Sequence, residues 1–264
     1  MRKTPNRKSS TAILRSMAAV APDHPVTRSF SAAYWRGGDA QVESVLFRPQ
    51  FFDKLVAWGG ESTIRSARQY IGPGFELVAF DPKTSISFIG REAFATPTIL
   101  ADVAERAASD ATIMNQQACA SSRIQFIEAT EQQADEYCAL LQSRLGIERF
   151  TCSARQQPVA QHLREEIEGL RAMESLYRVW GGYDGKGLVI RSEDPVDFHP
   201  DGRIVNVVPV RSLDDALRYV TVATQTVGVF PAERKRELRD ALASRGVQRV
   251  VELGKAVAVE TGIP

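Results

Sequence analysis

Cys119 stands in Met114-Asn115-Gln116-Gln117-Ala118-Cys119-Ala120-Ser121-Ser122-Arg123, flanked by small residues and preceded by amide side chains. A thiol in such company is open to attack an incoming carbonyl carbon. A helix N-terminus or a nearby cation would favour its reactive thiolate form. The backbone N–H of Cys119, together with an amide such as that of Asn115, can bind the oxyanion that develops during attack. One such donor is worth roughly 3 kcal/mol in a transition state. The alternative for Cys119 is a small, buried core cysteine. Cys138 falls inside a helical pattern and reads as core, whereas Cys152 lies in a loop without supporting neighbours.

A second chemistry resides in two glycine turns, Trp35-Arg36-Gly37-Gly38-Asp39 and Trp58-Gly59-Gly60-Glu61-Ser62-Thr63. Each follows a strand pattern and opens a helix. Such turns expose N–H groups at a positive helix end and let a phosphate or a flat ring approach closely. That is the layout of a dinucleotide site, although neither turn is a G-x-G-x-x-G and tight strand–helix turns use glycine for geometry alone just as readily. His24, His162 and His199 are far apart and form no zinc-type spacing, so no metal site is read.

These residues need a scaffold of alternating strands and helices. Strands are expected at 29–35, 54–58, 75–80, 85–89, 124–127, 177–180, 188–190, 204–208, 226–230 and 247–253. Helices are expected at 9–21, after Asp39, after Gly60, and at 97–111, 131–145, 159–173, 212–220 and 232–244. The rhythm predicts a mostly parallel sheet with helices on its faces. A change of pattern places a domain boundary near 90–96, giving units of 1–92 and 93–264.

Composition agrees. The 264 residues are 44% hydrophobic and 25% charged, with a net charge of +1, so nothing draws the chain globally to nucleic acid or anionic membrane. No apolar run approaches the ~20 residues of a membrane span. Three widely spaced cysteines suggest no disulfide framework and point to a cytoplasmic location.

Several segments together carry a family resemblance. Ala33-Tyr34-Trp35-Arg36-Gly37-Gly38-Asp39, Phe80-Asp81-Pro82-Lys83-Thr84-Ser85-Ile86-Ser87-Phe88-Ile89-Gly90, Gln116-Gln117-Ala118-Cys119, and Thr226-Val227-Gly228-Val229 with Pro231-Ala232-Glu233-Arg234 resemble LuxC-type acyl-CoA reductases in order and separation. The resemblance runs over nearly the whole chain. It implies an aldehyde-dehydrogenase-like α/β fold, with a partial Rossmann-type cofactor domain followed by an α/β catalytic domain.

By that resemblance, Cys119 matches the nucleophile and Gln117 the glutamine two residues before it, with Asn115 as a candidate oxyanion amide. Gln116 replaces the usual glycine, and the downstream arginine is one place closer, at Arg123. Gly59, Gly60 and Glu61 match the glycine turn near the nicotinamide, Gly37 and Gly38 add a second turn, and Lys3 falls in a segment like the one that touches the adenosine ribose. Lys83 aligns with the lysine of a Glu-Leu-Gly-Gly-Lys motif. The water-activating glutamate four places earlier is Ala79 here, which disfavours hydrolysis of an acyl-enzyme and suits reduction.

The implied activity is NADPH-dependent reduction of a long-chain fatty acyl thioester to aldehyde through an acyl-cysteine. The implied partners are fatty acyl-CoA or an acyl-carrying synthetase or transferase, and a homo-oligomer is expected. The alternatives are a short-chain CoA-acylating aldehyde dehydrogenase and an inactive fragment of such an enzyme. Measured against the family, the chain is expected to be truncated at both ends, with an unpaired sheet edge in its cofactor unit.

Overall fold

In a computed structural model the chain is described over residues 7–80, 83–152 and 158–258. It divides into two compact units, Met1–Asp81 and Pro82–Pro264.

The first unit opens with α1 (Arg7–Val20) and the single turn α2 (Pro25–Arg28). The strand expected at 29–35 does not form, and 30–36 has no regular secondary structure. Among the described residues no strand pairs with this stretch, and Phe30 and Tyr34 stay exposed. α3 (Ala40–Leu46) starts at Asp39, whose carboxylate accepts from the Gln41 and Val42 N–H groups. β1 (Lys54–Trp58), α4 (Glu61–Arg68) and β2 (Glu76–Phe80) then form a βαβ unit. The strands pair in parallel from Lys54↔Glu76 to Trp58↔Phe80. Ile64 and Ala67 of α4 bury themselves against Ala57, Leu55, Leu77 and Ala79. Among the described residues this sheet has two strands, so each keeps one unpaired edge.

The second unit is built from β3 (Thr84–Ile89), α5 (Pro97–Ala111), β4 (Ser122–Glu128), α6 (Glu131–Leu145), α7 (Gln161–Arg171), β5 (Arg178–Trp180), β6 (Leu188–Arg191), β7 (Ile204–Val210), α8 (Leu213–Ala216), β8 (Thr224–Phe230), α9 (Arg234–Ala243) and β9 (Arg249–Glu252). Its strands lie in the order β5-β6-β7-β4-β3-β8-β9. All described pairs are parallel except the antiparallel β5–β6. β3 is hydrogen-bonded on both sides in the middle of this sheet. The division between the units therefore falls before β3, not after it as the sequence pattern had suggested.

Alternate side chains on the central strands serve opposite faces. Ile89, Ile127 and Val207 pack under α5 and α6, with Val103, Ala104, Ala107, Tyr137 and Leu141. Their neighbours Phe88, Phe126 and Val208 pack on the other face with Leu213, Leu238 and Leu242. A strand buried on both faces usually reads as a continuous apolar run, but here buried Ser85, Ser87, Gln125 and Asn206 interrupt the apolar positions. Side-chain caps set the helix starts: the Thr96 hydroxyl accepts from Ile99 N–H, and Thr130 with Gln133 closes a capping box.

The carboxyl edge of the sheet is tied by one buried carboxylate. Glu128 accepts from the Leu213 and Arg91 N–H groups and from the Arg91 and Arg234 guanidinium groups. Burial pushes this carboxyl up, but those donors together hold it below its usual range. The edge is thus a closed ionic knot, and the amino edge carries the candidate chemistry.

Asp110, near the end of α5, accepts from the N–H groups of Gly254 at 2.7 Å and Ala256 at 3.0 Å. Burial pushes its carboxyl up to about 6, against the pull of the Ala256 and Gly254 donors. A carboxyl raised in the folded state favours folding most below its unfolded pKa, near pH 4, and that contribution is lost as pH rises through about 6. Stability should therefore fall by about 2–3 kcal/mol over this window from Asp110 alone. Asp110→Asn should remove that part of the slope in urea titrations run between pH 4 and 6.5. Leu141→Ala, at a side chain with no exposed surface, should cost about 2–5 kcal/mol in the same assay.

Candidate active site

Cys119 lies between α5 and β4 and is exposed, whereas Cys138 and Cys152 are buried. Cys138 belongs to the core under α6, where burial pushes its thiol far up. The carbonyl of Cys119 accepts from the Ser85 hydroxyl at 2.8 Å, which fastens the loop to the start of β3. With Ser122 opening β4 and Ile204 opening β7, the thiol sits at the amino edge of the parallel sheet.

The backbone before it is unusual. Met114, Asn115 and Gln116 have φ of 49°, 56° and 64°, a left-handed turn made without glycine. Such a conformation costs about 1–2 kcal/mol per residue and persists only when its surroundings determine it. Here they do. The Met114 N–H donates to Thr151 O at 2.7 Å. The fully buried Gln116 carboxamide donates to Ile204 O at 2.7 Å and accepts from Ile204 N–H at 2.9 Å. The Gln116 carbonyl accepts from Arg123 Nη2 at 2.6 Å. Asn115 Oδ1 accepts from Arg203 Nη2 at 2.8 Å and from the Cys152 thiol at 3.3 Å. Cys152, which sequence reasoning left without supporting neighbours, is therefore part of this cage.

Arg123 is buried and also donates to Pro200 O, with Asp201 3.8 Å away. Burial lowers its pKa, while the charges of Asp201 and Cys119 act in the opposite sense. His199, next to Pro200, is pushed below its ordinary value by desolvation and by the Arg123 charge, with Asp201 opposing. Arg123, His199 and Asp201 thus form an electrostatic group with the loop of Cys119. Sequence reasoning weighed the histidines only for zinc spacing, and missed both His199 and Arg203. Their distance along the chain left no local signal. Among the described residues there is no cluster of histidine, cysteine and carboxylate side chains suited to a metal ion.

The expected site residues fall as follows. Gln117 is exposed, its N–H donating to Met114 O at 3.1 Å; the anchoring amide is its neighbour Gln116. Lys83 donates to Val222 O at 2.6 Å and so is tied to the segment before β8. Ala79 pairs with Ala57 across the small sheet, and Glu76 is occupied by Lys54 at 2.7 Å. Lys3 lies outside the described residues.

The two glycine turns meet in the first unit. A cavity of about 830 Å³ is lined by Trp35, Gly37, Gly38, Trp58, Ser62 and Thr63, among others. Gly38 has φ +82°, and its N–H donates at 2.8 Å to the buried Glu43, which also accepts from Trp35 Nε1 and the Tyr70 hydroxyl. Gly59 is required by space, since a Cβ there would come within 2.9 Å of the Thr63 hydroxyl. Gly60 is the N-cap of α4, offers no side-chain cap, and leaves the helix N-terminus open to a ligand. Glu61 opens that helix. Trp58 and Phe80, exposed at the carboxyl ends of β1 and β2, stack with ring centres 5.3 Å apart.

Known proteins resemble this chain in sequence and in fold. A family model described as acyl-CoA reductase (LuxC) matches residues 4–264. A long-chain acyl-protein thioester reductase of Photorhabdus laumondii is 33% identical over 253 residues, covering 93% of this chain and 50% of the relative. One of Vibrio harveyi is 28% identical over 246 residues, covering 92% and 50%. The chain thus spans about half the length of these relatives. Among solved structures, an NADP-dependent glyceraldehyde-3-phosphate dehydrogenase of Bacillus halodurans, complexed with NADP, aligns with a TM-score of 0.62 at 13% identity, over 87% of this chain and 49% of that one. A salicylaldehyde dehydrogenase of Pseudomonas putida G7 aligns with a TM-score of 0.57 at 18% identity, over 83% and 48%. The fold is that of the aldehyde dehydrogenases, and the chain belongs to the acyl-CoA reductase (LuxC) family.

Proposed function

We propose that this chain carries the acyl-accepting and part of the nucleotide-binding machinery of a long-chain acyl thioester reductase, with Cys119 as the nucleophile. The observation that carries the reading is that Cys119 is the exposed cysteine and rides on a caged left-handed turn at the sheet's amino edge. Its thiolate attacks the thioester carbonyl, the donor thiol leaves, and the acyl group becomes a thioester on Cys119. The Cys119 backbone N–H and the Asn115 amide stabilise the oxyanion in this step. With Ala79 where ordinary aldehyde oxidisers have a base, no carboxylate at that position activates water against the acyl-enzyme. NADPH, held by the glycine turns of the first unit, would supply a hydride to the acyl carbon, and Cys119 would then leave as thiolate from the aldehyde carbon.

The residues lining the first unit's cavity fit a phosphate and a flat ring. The open N-terminus of α4 suits the anion, the two glycine turns admit it closely, and Trp58 offers an aromatic face. Gly37, Gly38, Gly59, Gly60 and Glu61 belong to this cradle in the proposed reading. The acyl donor is a fatty acyl-CoA or an acyl-carrying synthetase or transferase. A long acyl chain is favoured over a short one by the relatives, which are long-chain acyl-protein thioester reductases. We further assign a homo-oligomer and a cytoplasmic site of action. No described helix is long and apolar enough to cross a membrane.

Incubation with hexadecanoyl-CoA, without reductant, should add one acyl mass to the protein at Cys119. Cys119→Ala should abolish it and Cys138→Ala should leave it intact; an acyl group persisting on the Cys119 variant overturns the assignment. Ser62→Asp puts a negative charge at the α4 N-terminus without harming the helix. It should weaken NADPH binding at least about tenfold, read by the cofactor's fluorescence, because it repels the anion held there.

A further inference from the structure

Two successive residues of the turn before Cys119 are matched by two successive residues before and at the start of β7. Ile204 holds Gln116 through its backbone, and Arg203 holds Asn115 through its side chain. Arg203 is itself buried and left-handed, with φ 67°, and follows left-handed Gly202. Two strained turns thus face each other, each fixing the other. Cys152, 1% exposed, adds its thiol hydrogen to the same Asn115 oxygen.

An amide side chain has two ends of nearly equal shape, and only its partners decide which way it faces. With the guanidinium of Arg203 and the thiol of Cys152 both donating to Oδ1, the amide is locked with its oxygen toward them. Its Nδ2 hydrogens then point away from those donors, with no acceptor among the described residues. We propose that Arg203 and Cys152 are positioning residues for thioester attack: they fix the Asn115 amide and the turn that presents Cys119, so that an N–H donor and the thiol are offered together. This rests on Cys119 being the acyl acceptor and deepens that reading.

Two reactions of the same thiol separate positioning from simple folding. Alkylation by iodoacetamide displaces iodide and needs only an accessible thiolate. Acylation by hexadecanoyl-CoA builds an oxyanion and needs the donor. Both rates are measured on the full chain carrying Cys138→Ala. Arg203→Ala and Cys152→Val should each slow acylation at least about tenfold, a fraction of the ~10²–10³ for losing an oxyanion donor outright. Alkylation should change less than about twofold. Arg203→Lys and Cys152→Ser, which keep a donor, should recover part of the acylation rate. Because Arg203→Ala removes a buried charge, Cys152→Val is the decisive variant. If it acylates at the parent rate, or if acylation and alkylation fall by the same factor, the proposal is overturned. A parent protein that takes no acyl group on Cys119 overturns the acyl-acceptor reading, and this proposal with it.

Discussion

A left-handed turn of three L-residues cannot hold itself, and the buried Gln116 carboxamide is what holds this one. It saturates both backbone groups of Ile204 from a position with no exposed surface. Loss of that pair would leave a buried donor and a buried acceptor without partners, each worth about 1–3 kcal/mol. The carbonyl of the same residue is held by Arg123, so both ends of Gln116 are fixed by distant parts of the unit. Everything proposed for Cys119 depends on that clasp, because the thiol's exposure and direction follow from the turn that precedes it by three residues.

Much of the scaffold was legible because its signals are local. Thr96, Thr130 and Ser212 announce their helices as side-chain caps, and the apolar residues of β3, β4 and β7 mark strands despite buried Ser87, Gln125 and Asn206 among them. The stretch 29–35 misled because its residue types suit a strand, while strand formation needs a partner that no residue type can announce. Cys119 stood out by its small neighbours. Gln116 looked like a departure from a glycine, and its anchoring role is invisible without Ile204 at hand. Arg203, Cys152 and His199 have no local mark at all. Their importance is set by contacts spanning 37 to 88 residues.

The two units divide the proposed chemistry cleanly. The glycine cavity, with Trp58 and the open end of α4, lies wholly in the first. The thiol, its turn and the arginines that hold it lie wholly in the second. Each edge of the large sheet also has its own character: at the carboxyl edge Glu128 neutralises and fastens Arg91 and Arg234, and at the amino edge the buried cations Arg123 and Arg203 bind backbone or amide oxygens beside an exposed thiol.

The long reach of the cage bears on the order in which the protein acquires its structure. Closing Gln116 onto Ile204 joins residues 88 apart along the chain, so the strained turn gains nothing until β3, β4 and β7 have come into register. A nascent or unravelled chain therefore carries Cys119 in relaxed backbone, as an ordinary thiol. The presented nucleophile thus exists only in molecules where β7 has come into place beside the turn.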